Sequence, residues 1–390
     1  MERRAAALTR WMEEHASEAL AFLETLVNQD SGSYDRAGVN RVGDLLAEAL
    51  VELGFAVSRV PQTEHGDHLV ARRPGAPGGR SLLCIGHMDT VYPAGTAAAR
   101  PFRVEGPRAT GPGVLDMKGG LVVLITALRA LRAADSPAFC DLGITVLVNT
   151  DEEIGSPTSR ELFLDLARRH PAAIVLEPAR PSGECVIGRK GVGHFRLEVF
   201  GRQAHAGSQP EFGANAIWEL ARKVCAVQEL GDAERGTTVH VGVIRGGERT
   251  NVIPDYAVAD IDLRIWSDEE GKRIAAGIRA VAGESRVPGT SGRCEGEISF
   301  PPWPTNEGTR RMLEILREAG KPLGLNVEGI TTGGGSDGNR TAALIPTLDG
   351  LGVVGSRLHS PEEFIEVRSL QERAALLAMF FEVYRERFAA

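Results

Sequence analysis

The chain lacks most of the features that announce a partner. Its five cysteines are Cys84, Cys140, Cys185, Cys225 and Cys294. They are odd in number, scattered, and never spaced C-x-x-C, which argues against a disulfide frame or a thiolate zinc site. No apolar run approaches the ~20 residues of a membrane span. The N-terminal Met1-Glu2-Arg3-Arg4-Ala5 leads into mixed polar and apolar residues, without a signal-peptide core. Basic excess is missing too. Against 52 acidic residues stand 44 basic ones, a net charge of −8, and phosphate binding needs a basic face. There is no internal repeat and no low-complexity segment. The expectation is a cytoplasmic protein with neither a membrane nor a nucleic-acid partner.

At 390 residues the chain exceeds one ordinary core, so two or more domains are expected. Helical periodicity covers residues 4–26 and 36–53, where Leu45, Leu46, Leu50 and Leu53 recur. Strands are expected at 56–60, 68–71 and 81–85, then an apolar helix at 117–134. The apolar run 143–149 reads as a strand buried on both faces. A helix at 158–169 and a strand at 173–176 follow. This alternation predicts an α/β fold with a mainly parallel sheet. After about residue 188 the order becomes β-α-β-β-α-β. It runs through strands at 194–199, 238–244, 256–266 and 293–299 and helices at 213–229 and 267–284. The second helix is opened by a Ser267-x-x-Glu270 capping box. That is the order of a ferredoxin-like module. The predicted layout is a large domain, 1–189 and 303–390, with 190–302 inserted.

Short acidic and histidine motifs fall at the ends of the expected strands, where open α/β sheets bind ligands. His87-Met88-Asp89-Thr90 follows the strand 81–85. Spacing of two puts His87 and Asp89 on one face, and a metal-bound imidazole needs an acceptor for its other N–H. Asp116 sits between Gly111-Pro112-Gly113 and Gly119-Gly120 at the mouth of the long helix. It is either a helix N-cap or a group that needs close backbone approach. Asp151-Glu152-Glu153 leaves the buried strand 143–149. Adjacent carboxylates repel unless a cation lies among them; the alternative is a solvated turn. Glu177 ends the strand 173–176, and His359 stands in Leu358-His359-Ser360-Pro361-Glu362-Glu363. Taken singly, Glu177 reads as a solvated strand end and His359 as a loop histidine. Together these motifs supply the nitrogen and oxygen donors that zinc accepts.

In order and spacing the motifs resemble those of the dizinc metallopeptidases that include bacterial glutamate carboxypeptidase, aminoacylase and succinyl-diaminopimelate desuccinylase. The stretches GHMDTVY, GPGVLDMKGG, VLVNTDEEIGS, VLEP, GRQAHAG, GANA, TNVIPDYAVADIDLR, TGGGSDG and HSPEEFIEV carry the likeness from about residue 20 onward. It is nearest to the glutamate carboxypeptidase branch. The resemblance implies two Zn2+ per subunit, with Co2+ or Mn2+ able to substitute. His87 and Glu177 would bind one ion, Glu153 and His359 the other, and Asp116 both, beside a cis peptide to Met117. Asp89 would orient His87, and Glu152 would be the general base toward a metal-activated water. The insert would be a dimerisation (lid) domain, making the protein a homodimer, and would offer His205 to the partner's site. The alternative for His205 is a surface turn. Asn251, Arg264 and the glycine loop at Gly334 would meet the carboxylate of a small peptide or N-acyl amino acid. Arg264 could equally form a strand-edge ion pair with Asp260 or Asp262.

The implied activity is amide hydrolysis next to a carboxylate, as a carboxypeptidase or, alternatively, an N-acyl-amino-acid deacylase. A non-catalytic metal-binding scaffold is the contrasting reading, and the intact ligand set with Glu152 argues against it. One departure stands out. Glutamate-specific members of the family it resembles carry an arginine just before a Pro-x-Phe-like segment, which here reads Phe300-Pro301-Pro302-Trp303-Pro304. Here the nearest one upstream is Arg293. Trp303 would then line a more apolar pocket or pack the hinge.

Overall fold

The computed structural model describes residues 1–388. The chain forms two compact units, one of Met1–Gly188, Thr305–Thr331 and Ser336–Ala390, the other of Arg189–Pro304 with Thr332–Gly335.

The first unit is built on a six-stranded sheet. Its strands are β1 (Ala56–Val60), β2 (His68–Arg73), β3 (Ser81–His87), β4 (Gly143–Asn149), β5 (Ala173–Val175) and β6 (Thr347–Leu348). Their spatial order is β1-β2-β4-β3-β5-β6. The pairs β3/β4, β3/β5 and β5/β6 are parallel, while β1/β2 and β2/β4 are antiparallel. The sheet is therefore mainly parallel, as expected. Helices explain why the central strands read as unbroken apolar runs. From Leu82 to His87 and from Ile144 to Asn149 every residue is buried. The helix Gly119–Ala133 is buried along nearly its whole length and packs against the helix Val367–Arg387. In the latter, Phe380, Phe381 and Tyr384 are fully buried, and the Tyr384 hydroxyl donates to the Ser81 carbonyl of β3 at 2.9 Å. Each such side chain contributes roughly 1.5–3 kcal/mol by leaving water.

Register then fixes where chemistry can occur. His87 at the end of β3 pairs with Asn149 at the end of β4, and Glu177 follows the end of β5 by two residues. Three adjacent parallel strands thus deliver their carboxyl ends, and the polar residues beyond them, to one edge of the sheet.

Two helix expectations need correction. The span 4–26 is two helices, Glu2–Glu14 and Ala16–Val27, broken at His15. The His15 ring stacks on Trp11 and bonds its carbonyl, and its backbone leaves helical geometry. The long apolar helix starts at Gly119 rather than at 117, because Asp116 and Met117 are non-helical and joined by a cis peptide.

The second unit holds an antiparallel sheet in the spatial order Thr238–Gly246, Tyr256–Ile265, Gly191–Phe200, Ser291–Phe300. With the helices Ala216–Gln228 and Asp268–Gly283 between its strands, it has ferredoxin-like connectivity. Phe195, Leu197 and Val199 are buried in its core with Leu220, Ile274 and Ile278. The capping box is half formed. Ser267 accepts from the Glu270 N–H at 3.2 Å, but the Glu270 carboxylate goes to Arg273, Arg235 and Thr237. Trp303 is fully buried, and its backbone bonds Arg189 in both directions. Its side chain is packed away from solvent.

Candidate metal centre

Six side chains gather at the carboxyl edge of the first unit's sheet. His87 ends β3. Glu152 and Glu153 form a 3-10 turn just beyond β4, closed by Gly155 with a left-handed φ of 89°. Glu177 follows β5. Asp116 lies in the non-helical turn before Gly119, where it is no N-cap: its carboxylate reaches sideways to two histidines. His87 Nε2 is 3.2 Å from Asp116 Oδ1 and 3.5 Å from Glu177 Oε1. His359 Nε2 is 3.1 Å from Asp116 Oδ2 and 3.3 Å from Glu153 Oε2. One carboxylate is thus divided between two His–carboxylate pairs. Ligand atoms of His87, Asp116 and Glu153 lie within 4.8 Å of one another, as do those of His87, Glu152 and Glu177.

The electrostatics mark this as a place short of positive charge. Burial raises the pKa of Glu152 well above the usual carboxylate range, and the Glu177, Asp337 and Glu153 carboxylates add to the shift against His87. Burial likewise pushes Glu153 up to about 7, although His359 opposes it. Glu177 is raised by burial and by Asp116. Burial also works against charge on Asp116, yet hydrogen bonds from His359 and His87 hold its pKa below the usual range. The His359 imidazole, bonded by Asp116 and Glu153, is pushed up to about 10. Carboxylates so close are stable together only with compensating positive charge.

A divalent cation fits this site. The donors are imidazole nitrogen and carboxylate oxygen, the set that zinc accepts. Glu153 Oε1 is buried and finds no hydrogen-bond partner, an acceptor left over for an ion. His87 stands beside Glu177, His359 beside Glu153, and Asp116 between the two histidines.

The surrounding contacts refine the expectation for Asp89. Its carboxylate is 3.4 Å from His87 Nδ1, but the Asp89 backbone carbonyl is nearer, at 3.0 Å. The carboxylate accepts from Ser33 Oγ at 2.7 Å and from the Glu152 and Glu153 N–H groups at 3.2 Å. It therefore fixes the turn bearing both glutamates as well as the ring. Asp337 supports that turn from the other side, accepting from Asn149 Nδ2 and Ser156 Oγ. Glu363 and Tyr92 brace the turn that carries Asp116. Sequence reasoning missed Ser33, Asp337, Glu363 and Tyr92 as supports. Three of them lie inside quoted motifs, but nothing local says what they bond.

The remaining expected residues lie in the second unit. His205 is exposed, and its Nδ1 accepts the Gly207 and Ser208 N–H groups at 3.1 and 3.2 Å. Its neutral ring accordingly carries the proton on Nε2. The Asn251 carbonyl accepts from Ala206 N–H, which makes Asn251 a neighbour of His205. Arg264 forms a forked pair with Asp262, Nε and Nη2 each 2.9 Å from a carboxylate oxygen. The strand-edge ion pair is the reading that its side chain adopts. Its Nη1 lies 3.5 Å from the Gly333 carbonyl, next to Gly334. Arg293 is taken up by Glu198 at 2.6 Å.

Carboxypeptidase G2 from Pseudomonas sp. (strain RS-16) is 32% identical over 367 residues, 91% of this chain and 86% of that protein. A succinyl-diaminopimelate desuccinylase from Granulibacter bethesdensis is 29% identical over 397 residues, covering 94% and 98%. The crystal structure of a tripeptidase from Staphylococcus aureus shares the fold with a TM-score of 0.81 at 23% identity, over 95% of this chain and 99% of that one. The sequence profile of peptidase family M20/M25/M40 matches residues 83–383, and the chain belongs to that family of hydrolytic enzymes.

Proposed function

We propose that this hydrolase cleaves an amide bond next to a carboxylate, in a peptide or an N-acyl amino acid, with two Zn2+ per subunit. The observation that carries the reading is the Asp116 carboxylate divided between His87 and His359, with Glu177 and Glu153 beside them. Divalent cations bound among such donors acidify water and polarise a carbonyl oxygen.

The chain's own residues supply the rest. Glu152 is the proton carrier: it takes a proton from the attacking water and returns it to the leaving amine. Its carboxyl belongs to the same cluster as His87 and Glu177. Asp89 holds the Glu152 N–H and the His87 ring, so base and ligand keep a constant relation. His205 acts as a donor to the developing oxyanion through Nε2, contributed by the second subunit of a homodimer. Arg264, Asn251 and the backbone of Gly334 receive the substrate carboxylate, and a guanidinium fork suits that task. For Arg264 this requires leaving Asp262. Among the described residues no helix is long and apolar enough to cross a membrane, and we take the enzyme to be cytoplasmic.

An N-acyl-amino-acid deacylase is the second reading. It is favoured by the segment 300–304, which holds no arginine, and by the engagement of Arg293 with Glu198. Strict selection of a terminal glutamate has no obvious cation there. Amino-acid release from a panel of dipeptides and N-acyl amino acids, before and after zinc is restored to chelator-stripped enzyme, tests both. Zinc-restored release is expected, and the preferred members separate the readings. No release from any member, with two zinc ions per chain verified, would reject both.

A further inference from the structure

His359 has little of its own to stand on. Its backbone is left-handed, with φ 57°, as is that of Arg357 at 66°, and about half of its side chain is exposed. The loop that carries it is anchored from outside. The Tyr92 hydroxyl lies 2.8 Å from the Ser360 carbonyl and 2.7 Å from Glu363 Oε2. Burial and the Glu363 carboxylate both raise the Tyr92 pKa, so the phenol keeps its one proton and shares it between these two acceptors. Arg100 Nη1 adds a bond to the Pro361 carbonyl at 2.9 Å.

Glu363 completes the connection. Its Oε1 accepts the N–H groups of Leu115 at 2.8 Å and Asp116 at 3.0 Å. Its Oε2 accepts the Gly113 N–H at 3.2 Å and the Tyr92 hydroxyl. A carboxylate offers about four lone-pair sites, and here four donors take them. Glu363 is thus spent on the protein, and it does not join the ligand set. What it bonds is the backbone that presents Asp116, from a position four residues beyond His359.

We propose that Glu363, acting with Tyr92, is a positioning residue for the second metal ion. It holds the Asp116 turn and the His359 loop at the separation that lets both side chains meet one ion. His87, at the end of β3, and Glu177, just beyond β5, stand on the sheet and not on the two loops that Glu363 ties. This proposal rests on the two-ion reading given above.

The test is metal content of the full-length protein, equilibrated against buffered zinc, for the parent, Tyr92→Phe and Glu363→Gln. Gln keeps an oxygen for Leu115 and Asp116 but turns an amide N–H toward Gly113. The expected result is two ions in the parent, with one site weakened about 10–100-fold in each variant, the usual cost of losing an outer hydrogen-bond partner of a ligand. Activity lost at low free zinc should return as zinc is raised. The melting temperature of metal-free Tyr92→Phe should stay at the parent value. Equal weakening of both ions, or parent-like binding with only a lower melting temperature, would overturn the positioning role. Should Glu363→Gln fail to fold, Tyr92→Phe carries the test alone. A parent that binds a single ion would overturn the two-ion reading itself, whatever the variants do, and this role with it.

Discussion

His87 and His359 present the same ring to the same aspartate from opposite structural situations. His87 closes a strand hydrogen-bonded to β4 and β5 on its two sides. Its side chain is 1% exposed. His359 sits on a loop with a left-handed backbone, and its side chain is 51% exposed. The strand-borne half, His87 with Glu177, is preorganised by the sheet and shielded from water. The loop-borne half, Glu153 with His359, is held by a hydrogen bond from the Glu153 N–H to Asp89 and one from the Tyr92 hydroxyl to the Ser360 carbonyl. The contrast teaches that one centre contains a rigid half and an adjustable half. Electrostatic interactions are stronger around the buried His87, where the effective dielectric is lower than at the half-exposed His359.

The largest expected effect concerns a residue that belongs to neither ligand pair. Glu152→Gln should lower turnover by about 10²–10⁴-fold while both ions remain bound. Turnover together with metal analysis checks it, and full activity in the zinc-loaded variant would remove Glu152 from its role. The next effect tests the contrast directly. His87→Ala leaves the buried Asp116 and Glu177 short of positive charge, and the metal-free protein should lose about 3 kcal/mol. His359→Ala, at a half-exposed site, should cost the metal-free protein less than about 1 kcal/mol. Denaturant titrations of the two stripped variants measure this, and equal losses would erase the distinction between halves. Asp89→Asn touches both halves, through the His87 ring and the Glu152–Glu153 turn. A 10–100-fold fall in metal affinity is expected, visible at both sites in a zinc titration; loss confined to one site would show that only one contact matters. The mildest perturbation is slow chelation of the parent protein. Release in two phases is expected, with the loop-borne ion leaving first, and a single phase would contradict the asymmetry.

Much of the scaffold was legible locally. Gly143–Asn149 is a strand with the boundaries that its apolar run implies, because burial on both faces leaves a continuous signature. The β-α-β-β-α-β order after residue 188 was legible for a similar reason, since strand and helix periods differ. The helix start at Gly119 was not, because Met117 and Lys118 fit the helical pattern while the Asp116–Met117 peptide is cis. Candidate ligands were legible as residue types at strand ends, and the family resemblance assigned them roles. Their supports were not. Glu363 lies 247 residues from the backbone N–H of Asp116 that it binds and 271 from Tyr92. Likewise, sequence left Arg264 open between substrate and ion pair, and its distance to Asp262 shows which partner it holds here.

By itself, the sequence determined which segments are strands or helices, which faces they bury, and which donor types stand at the strand ends. These follow from periodicity and side-chain chemistry within a few residues. Tertiary structure decided which donors meet. Asp116 and His359, 243 residues apart, come within 3.1 Å because the strand Phe364–Glu366 pairs antiparallel with Arg108–Thr110 and because Glu363 ties one distant loop to another. No local pattern carries that distance; it is set by how the layers close around their core.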